Sequence, residues 1–151
     1  LIAAMFNVRT ILTQVIVAVL FVCSTTDALA QCRSFAKNKC LPELAPYQFN
    51  ETFNGAQLSP GDEAEVNLTF YSGQEYRVMV CAHPILGEVN WNIVDAYNKI
   101  VFESLADAPK RYFDVKSTNT AQMKVVVWVP EKGNSSMVHV GCVAILMGFK
   151  E

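Results

Sequence analysis

The stretch Ala64-Glu65-Val66-Asn67-Leu68-Thr69-Phe70-Tyr71, followed after Ser72-Gly73-Gln74 by Glu75-Tyr76-Arg77-Val78-Met79-Val80-Cys81-Ala82, decides the fold class. In the first run Ala64, Val66, Leu68 and Phe70 alternate with polar neighbours. In the second, Tyr76, Val78, Val80 and Ala82 alternate with Glu75, Arg77, Met79 and Cys81. Side chains on a strand point to opposite faces in turn, so a period of two marks a half-buried strand. Two such runs joined by a short glycine-containing loop predict a β-hairpin.

Downstream, Val89, Trp91 and Ile93 alternate with Asn90 and Asn92. The segment Asp95 to Lys99 then turns into Ile100-Val101-Phe102, which predicts a second hairpin. A polar connection with Pro109 leads to a short strand, Tyr112 to Lys116. Next, Met123, Val125, Val127 and Val129 alternate with Gln122, Lys124, Val126 and Trp128 until Pro130. A loop over Glu131 to Ser136 precedes the final run, Gly141 to Phe149. That run is apolar on both faces, through Val143, Ile145 and Met147 and through Ala144 and Leu146, so it belongs in the middle of a sheet or under a covering segment.

Upstream, the Ser59-Pro60-Gly61-Asp62 cluster marks a turn. Before it, Tyr47, Phe49 and Phe53 are spaced as inward residues of a first strand. Residues 31 to 46 hold a short helical turn or two around Ser34 to Lys39, stopped by Pro42 and Pro46. The expectation is an all-β, antiparallel, jelly-roll-like sandwich of seven or eight strands over 47–151, with 31–46 as its lead-in.

Residues 5 to 30 read as a secretory signal peptide: Arg9, an apolar run from Ile11 to Cys23, and a small-residue ending, Ala28-Leu29-Ala30. The run is short for a stable membrane anchor. Cleavage after Ala30 removes the first 30 of 151 residues and leaves 121, with Gln31, which can cyclise, at the amino end. A lipid anchor is not expected, since Val22 precedes Cys23 and Gln31 precedes Cys32. Leu1 to Ala4 stand before the first methionine, Met5, and are set aside from the fold. The expected location is secreted or periplasmic.

The remaining length suits one domain. Arg9 and Asp27 leave together, so the net charge stays at −2. That near-balance offers no basic stripe for a phosphate backbone, and nucleic acid is not an expected partner.

Four cysteines follow the cleavage site, Cys32, Cys40, Cys81 and Cys142, an even count that reads as two disulfides in a secreted chain. Of three pairings, Cys32 with Cys40 and Cys81 with Cys142 are favoured. The first requires a bend, because a continuous helix from 32 to 40 would hold the two α-carbons roughly 12 Å apart. The alternative is a tetrahedral zinc site from Cys81, His83, His139 and Cys142.

His83 and His139 are the only histidines, each at a strand end. There are no nucleophile-elbow glycines, no His-Glu-x-x-His run and no acidic calcium loop. No enzyme and no cofactor are expected. Trp91 shares a face with Val89 and Ile93 and belongs to the core. Trp128, beside Lys124 and Gln122, and Tyr71, opposite Leu68 and Phe70, are the candidate surface aromatics for a ligand. Asn50-Glu51-Thr52, Asn67-Leu68-Thr69 and Asn134-Ser135-Ser136 match the glycosylation sequon, which has meaning only in a eukaryote.

The runs Gln31-Cys32-Arg33-Ser34-Phe35-Ala36-Lys37, Cys40-Leu41-Pro42-Glu43-Leu44, Phe70 to Arg77 and Gly141 to Phe149 resemble a group of small, uncharacterised secreted proteins of Bacteroidetes. That resemblance implies location and fold and brings no activity with it. A second similarity, carried by Gly73 to Val78 and by Trp91-Asn92-Ile93-Val94-Asp95, is to bacterial pre-peptidase carboxy-terminal domains. These are β-sandwiches that accompany secreted proteases. Ala121-Gln122-Met123 stands where that pattern has a glycine-aromatic pair, so this likeness implies the sandwich only. The functional expectation is a non-enzymatic binding or structural sandwich whose partner is a protein or an envelope component. A carbohydrate-binding module using Trp128 and Tyr71 is the alternative.

Overall fold

A computed structural model describes residues 27–131 and 139–150. The apolar run before residue 27, the lipid-anchor position Cys23 and the sequon at Asn134 lie outside the described residues, as does most of the Glu131 to Ser136 loop. The described residues begin with a helical lead-in: α1 (Asp27–Phe35), a π-helical turn (Ala36–Cys40) and a 3-10 turn (Leu41–Leu44). Nine strands follow among the described residues: β1 (Gln48–Phe49), β2 (Asn54–Leu58), β3 (Glu63–Phe70), β4 (Glu75–Ala82), β5 (Asn90–Val94), β6 (Ile100–Ser104), β7 (Tyr112–Lys116), β8 (Ala121–Trp128) and β9 (Gly141–Lys150). A further 3-10 turn, Pro84–Leu86, separates β4 from β5.

The antiparallel pairings nest. β2 pairs β9, β3 pairs β8, β4 pairs β7, and β5 pairs β6. Such nesting describes a long two-stranded ribbon closed at the β5–β6 hairpin and wrapped so that alternate segments enter opposite sheets. One sheet has the order β2-β9-β4-β7, with β1 also on β9, and the other the order β3-β8-β5-β6. Two antiparallel sheets wound in this way are a jelly roll, as the strand pattern predicts.

One predicted connection is corrected. β3 and β4 do not form a hairpin, because they lie in different sheets. Both runs point their apolar residues inward from opposite sides, and the rings of Phe70 and Tyr76 meet edge to face at 5.2 Å. The loop is an arch between sheets. It is buttressed by the β7–β8 connection: Ser72 N–H donates to Thr120 Oγ1, its hydroxyl donates to Thr118 O, and Gly73 N–H donates to Ser117 O. The β5–β6 hairpin forms as predicted, with Asp95 Oδ1 accepting from the N–H groups of Tyr97 and Lys99 in the turn.

The inter-sheet core is built from the alternating residues, among them Leu68, Phe70, Val78, Trp91, Ile93, Val125, Val127, Val143 and Ile145. Trp91 and Phe70 are buried, and each such side chain contributes about 2–3 kcal/mol by leaving water. β9 is buried on both faces over Gly141 to Gly148. Its second face, with Met79 of β4, is covered by Ala36, Cys40 and Leu44 of the lead-in, flanked by Tyr47, Phe49 and Phe53. Those three aromatics therefore serve the outer layer and not the inter-sheet core.

The lead-in is helical for longer than its prolines suggest. Pro42 sits in the first turn of the 3-10 segment, where its missing N–H costs nothing, and Pro46 follows a cis bond beyond the helix end. This continuity overturns the expected cysteine pairing. A helical path from 32 to 40 separates those two residues along one axis, so each bonds instead to the sheet beneath it. Cys32 bonds Cys142 of β9, and Cys40 bonds Cys81 of β4. All four cysteines of the described residues are in disulfides, and a second set of alternatives falls with the pairing: Cys81 and Cys142 have no thiolate to offer, so the zinc set with His83 and His139 does not form.

Candidate functional site

Trp128 and Tyr71 are not brought together. Trp128 is opposite Glu63 at one end of the β3–β8 ladder, and Tyr71 lies beyond the other end, where Phe70 is opposite Ala121. Seven residues of strand separate the two ends by roughly 24 Å, at about 3.4 Å per residue. No single sugar ring spans that distance, so the paired-aromatic platform is absent. Tyr71 is exposed, and its N–H donates to the Tyr76 hydroxyl.

Trp128 does face outward on the β3-β8-β5-β6 sheet, as its shared face with Lys124 and Gln122 predicts. It is half-buried in a shallow recess with Glu63 and Asn90 in its own cross-strand row and Asn92 and Val126 in the next. Asn90 Oδ1 accepts from Ala106 N–H. Asn92 Oδ1 is buried and has no hydrogen-bond partner, alone in this among side-chain atoms of the described residues.

A deeper groove of about 720 Å³ opens at the same end of the sandwich, between the two sheets. Its floor is Val80, Ala82, Val89 and Trp91, and its walls are Phe35, Cys81 and the Pro109–Arg111 segment. Two features of the sequence create it. Pro109 lacks the N–H that would extend β7 along β4. Lys110 is tied to the other sheet: its N–H donates to Ser104 Oγ, while its carbonyl accepts from Ser104 Oγ–H and from Trp91 Nε1–H. β7 therefore starts at Tyr112, opposite Met79, and β4 runs on past it to Ala82.

His83 stands at the groove mouth as the N-cap of the Pro84–Leu86 turn. Its Nδ1 accepts from Ile85 N–H, and its ring packs on Phe35 at 5.4 Å. His139 is half-buried just before β9. The rim carries Lys39, Lys110 and Arg111 against Glu43 and Glu88, with Arg111 bonded to Glu43 at 3.0 Å. No group of three or more His, Cys, Asp or Glu side chains placed to hold a metal occurs among the described residues.

Sequence reasoning missed Arg77. Its guanidinium binds Asp114 of β7 through Nε at 2.7 Å and Nη2 at 2.6 Å, and donates to Ala45 O. It also lies between the rings of Tyr47 and Tyr112, at 4.6 and 3.9 Å. The Asp114 hydrogen bond holds its pKa above the ordinary arginine value, and desolvation together with the Asp114 charge raises that of Tyr47. The available signal was a lone cation on the strand face that also carries Met79 and Cys81.

The fold and its bridges define a disulfide-bonded jelly-roll sandwich with a helical cover over one sheet. No family model matches the chain, and no curated protein does. Among solved structures it is similar to PliG of Aeromonas hydrophila, a periplasmic inhibitor of g-type lysozyme, at 9% identity and a TM-score of 0.46, over 66% of this chain and 85% of that one. A likeness of that degree brings neither a partner nor a role to this chain.

Proposed function

We propose that the chain is an exported, non-enzymatic binding module whose partner is a protein, taken up in the groove between β4, α1 and the Pro109–Arg111 segment. The observation that carries this reading is the lining of that groove: an apolar floor on which Val80 and Ala82 are partly exposed above buried Val89 and Trp91, with unlike charges around the rim. Apolar floors with polar rims are the anatomy of protein-binding surfaces. Two disulfides suit an oxidising compartment, where such a module would work. No helix among the described residues is long and apolar enough to cross a membrane.

The test is a photo-crosslinking residue placed at Glu88 on the groove rim, with a matched one at Tyr71 at the far end of the sandwich, exposed to envelope and culture-medium extracts of the source organism. A discrete protein adduct from position 88 and none from 71 supports the reading. Equal labelling from both positions, or none from 88, defeats it.

A second reading, glycan binding, rests on Trp128 alone, because its recess holds an unpartnered acceptor, Asn92 Oδ1, beside an aromatic face. A glycan array signal lost in Trp128→Ala would favour it over the first.

A further inference from the structure

We infer, resting on the protein-binding reading above, that the partner enters the groove as an extended, carboxylate-bearing segment that adds a short strand to the free edge of β4 at Ala82. The register fixes which main-chain groups face that edge. His83 N–H donates to Cys142 O, so the odd-numbered end of β4, Cys81 and His83, bonds toward β9. Antiparallel ladders alternate direction residue by residue, so Val80 and Ala82 turn their N–H and C=O the other way. On that side β7 has stopped at Tyr112, and Ala82 has no strand partner.

The opening is built in and is not a frayed end. Both main-chain groups of Lys110 are consumed by Ser104 and Trp91, which anchors the segment before β7 to the opposite sheet and holds it off β4. An unpaired strand end beside an apolar slot is the geometry used by domains that bind peptides through strand addition: main-chain bonds fix the direction, and alternate side chains enter the pocket. Here one face of an added strand would cover Val80, Ala82, Val89 and Trp91.

Charge selects the occupant. Arg111 is neutralised by Glu43, whereas neither Lys39 nor Lys110 has a carboxylate partner among the described residues; Lys110 Nζ bonds the main-chain carbonyl of Glu103, at 3.3 Å, and lies over the Phe102 ring, at 5.3 Å. Glu88 is the one opposing carboxylate on the rim left outside an ion pair among the described residues. A segment alternating apolar and acidic residues satisfies the floor and the two lysines together.

The experiment titrates the folded, oxidised protein with three capped synthetic peptides: alternating valine and glutamate, alternating valine and lysine, and the glutamate peptide N-methylated on every second residue. The reporters are the amide resonances of Val80 to His83. The acidic peptide should bind in a salt-sensitive manner and protect the Ala82 amide from exchange. N-methylation should abolish binding, and Lys39→Glu with Lys110→Glu should weaken it about tenfold, the loss of two exposed charge pairs. Failure of the acidic peptide to bind, equal binding of the lysine peptide, or indifference to N-methylation overturns the inference. If crosslinking at Glu88 still yields a protein adduct in that case, the groove takes a folded surface and the broader reading survives; if it yields none, both readings fall.

Discussion

Cys32 of α1 is bonded to Cys142 of β9, across a sequence separation of 110 residues, so the lead-in and the central strand of its sheet are one covalent unit. The second bridge, Cys40 to Cys81, fixes the other end of the lead-in to β4. Together they clamp a helical layer over Met79, Ala144 and Leu146, a face that two sheets alone would leave in water.

Non-reducing peptide mapping is expected to recover Cys32 with Cys142 and Cys40 with Cys81. Closing loops of 110 and 41 residues constrains the unfolded chain by about 5 and about 4 kcal/mol. The double replacements Cys32→Ser/Cys142→Ser and Cys40→Ser/Cys81→Ser should each lower stability by roughly 2–5 kcal/mol in urea unfolding. Recovery of a Cys32–Cys40 peptide would contradict the continuous helical path.

Arg77 joins three hydrogen bonds and two stacked rings, and its replacement should show it. Arg77→Ala removes the two-point contact with Asp114, the bond to Ala45 O and the stacking on Tyr47 and Tyr112. A loss of about 1–3 kcal/mol is expected, since a paired guanidinium and stacked rings each add of order 1 kcal/mol. Arg77→Lys keeps the charge without the planar fork and should recover less than half. Equal stability of the lysine variant and the parent would show that charge alone matters here.

How far the fold was legible depended on whether the signal was local. Alternation marked β3 to β5 and β8, and the two apolar faces of β9 required a covering segment, because each is a property of one strand and its surroundings. Partner choice is not local. The Ser72-Gly73-Gln74 loop has hairpin length, yet Phe70 and Tyr76 face each other from opposite sheets, and only the nested pairing with β7 and β8 decides that. Trp128 was readable as outward-facing from its neighbours, whereas its distance from Tyr71 follows from register along the whole ladder. The groove was hidden for the same reason: Pro109 was visible, but not that Ser104 and Trp91 would hold Lys110 away from β4.

Export should cut after Ala30 and leave Gln31 as the first residue. In the structure α1 crosses that bond, and Cys32 lies buried and bridged two residues beyond it. Intact-mass analysis of exported protein should therefore give the mass of residues 31–151 less four hydrogens for two bridges, with a further loss of ammonia if Gln31 cyclises. A mass that retains the Ile11 to Cys23 run would mean the apolar segment stays attached and the chain is anchored.

Gly148 of β9 tests the contact between the lead-in and the sheet. A β-carbon added there would meet Tyr47 Cβ at 2.8 Å and Leu44 Cγ and Cδ2 at 3.0 Å. The first of these atoms sits one bond from the main chain and cannot swing aside, so the lead-in itself must move outward. Gly148→Ala should cost about 1–3 kcal/mol, the usual penalty for overpacking, and should speed amide exchange in residues 36–49 more than in β3 or β8. Gly73→Ala is the control. It has nothing within 4 Å of the new carbon, but its φ of 86° disfavours any side chain, so its smaller loss of about 1 kcal/mol should leave exchange in the lead-in unchanged. Equal effects of both variants on residues 36–49 would mean that the cover is held by its disulfides alone and not by this close approach.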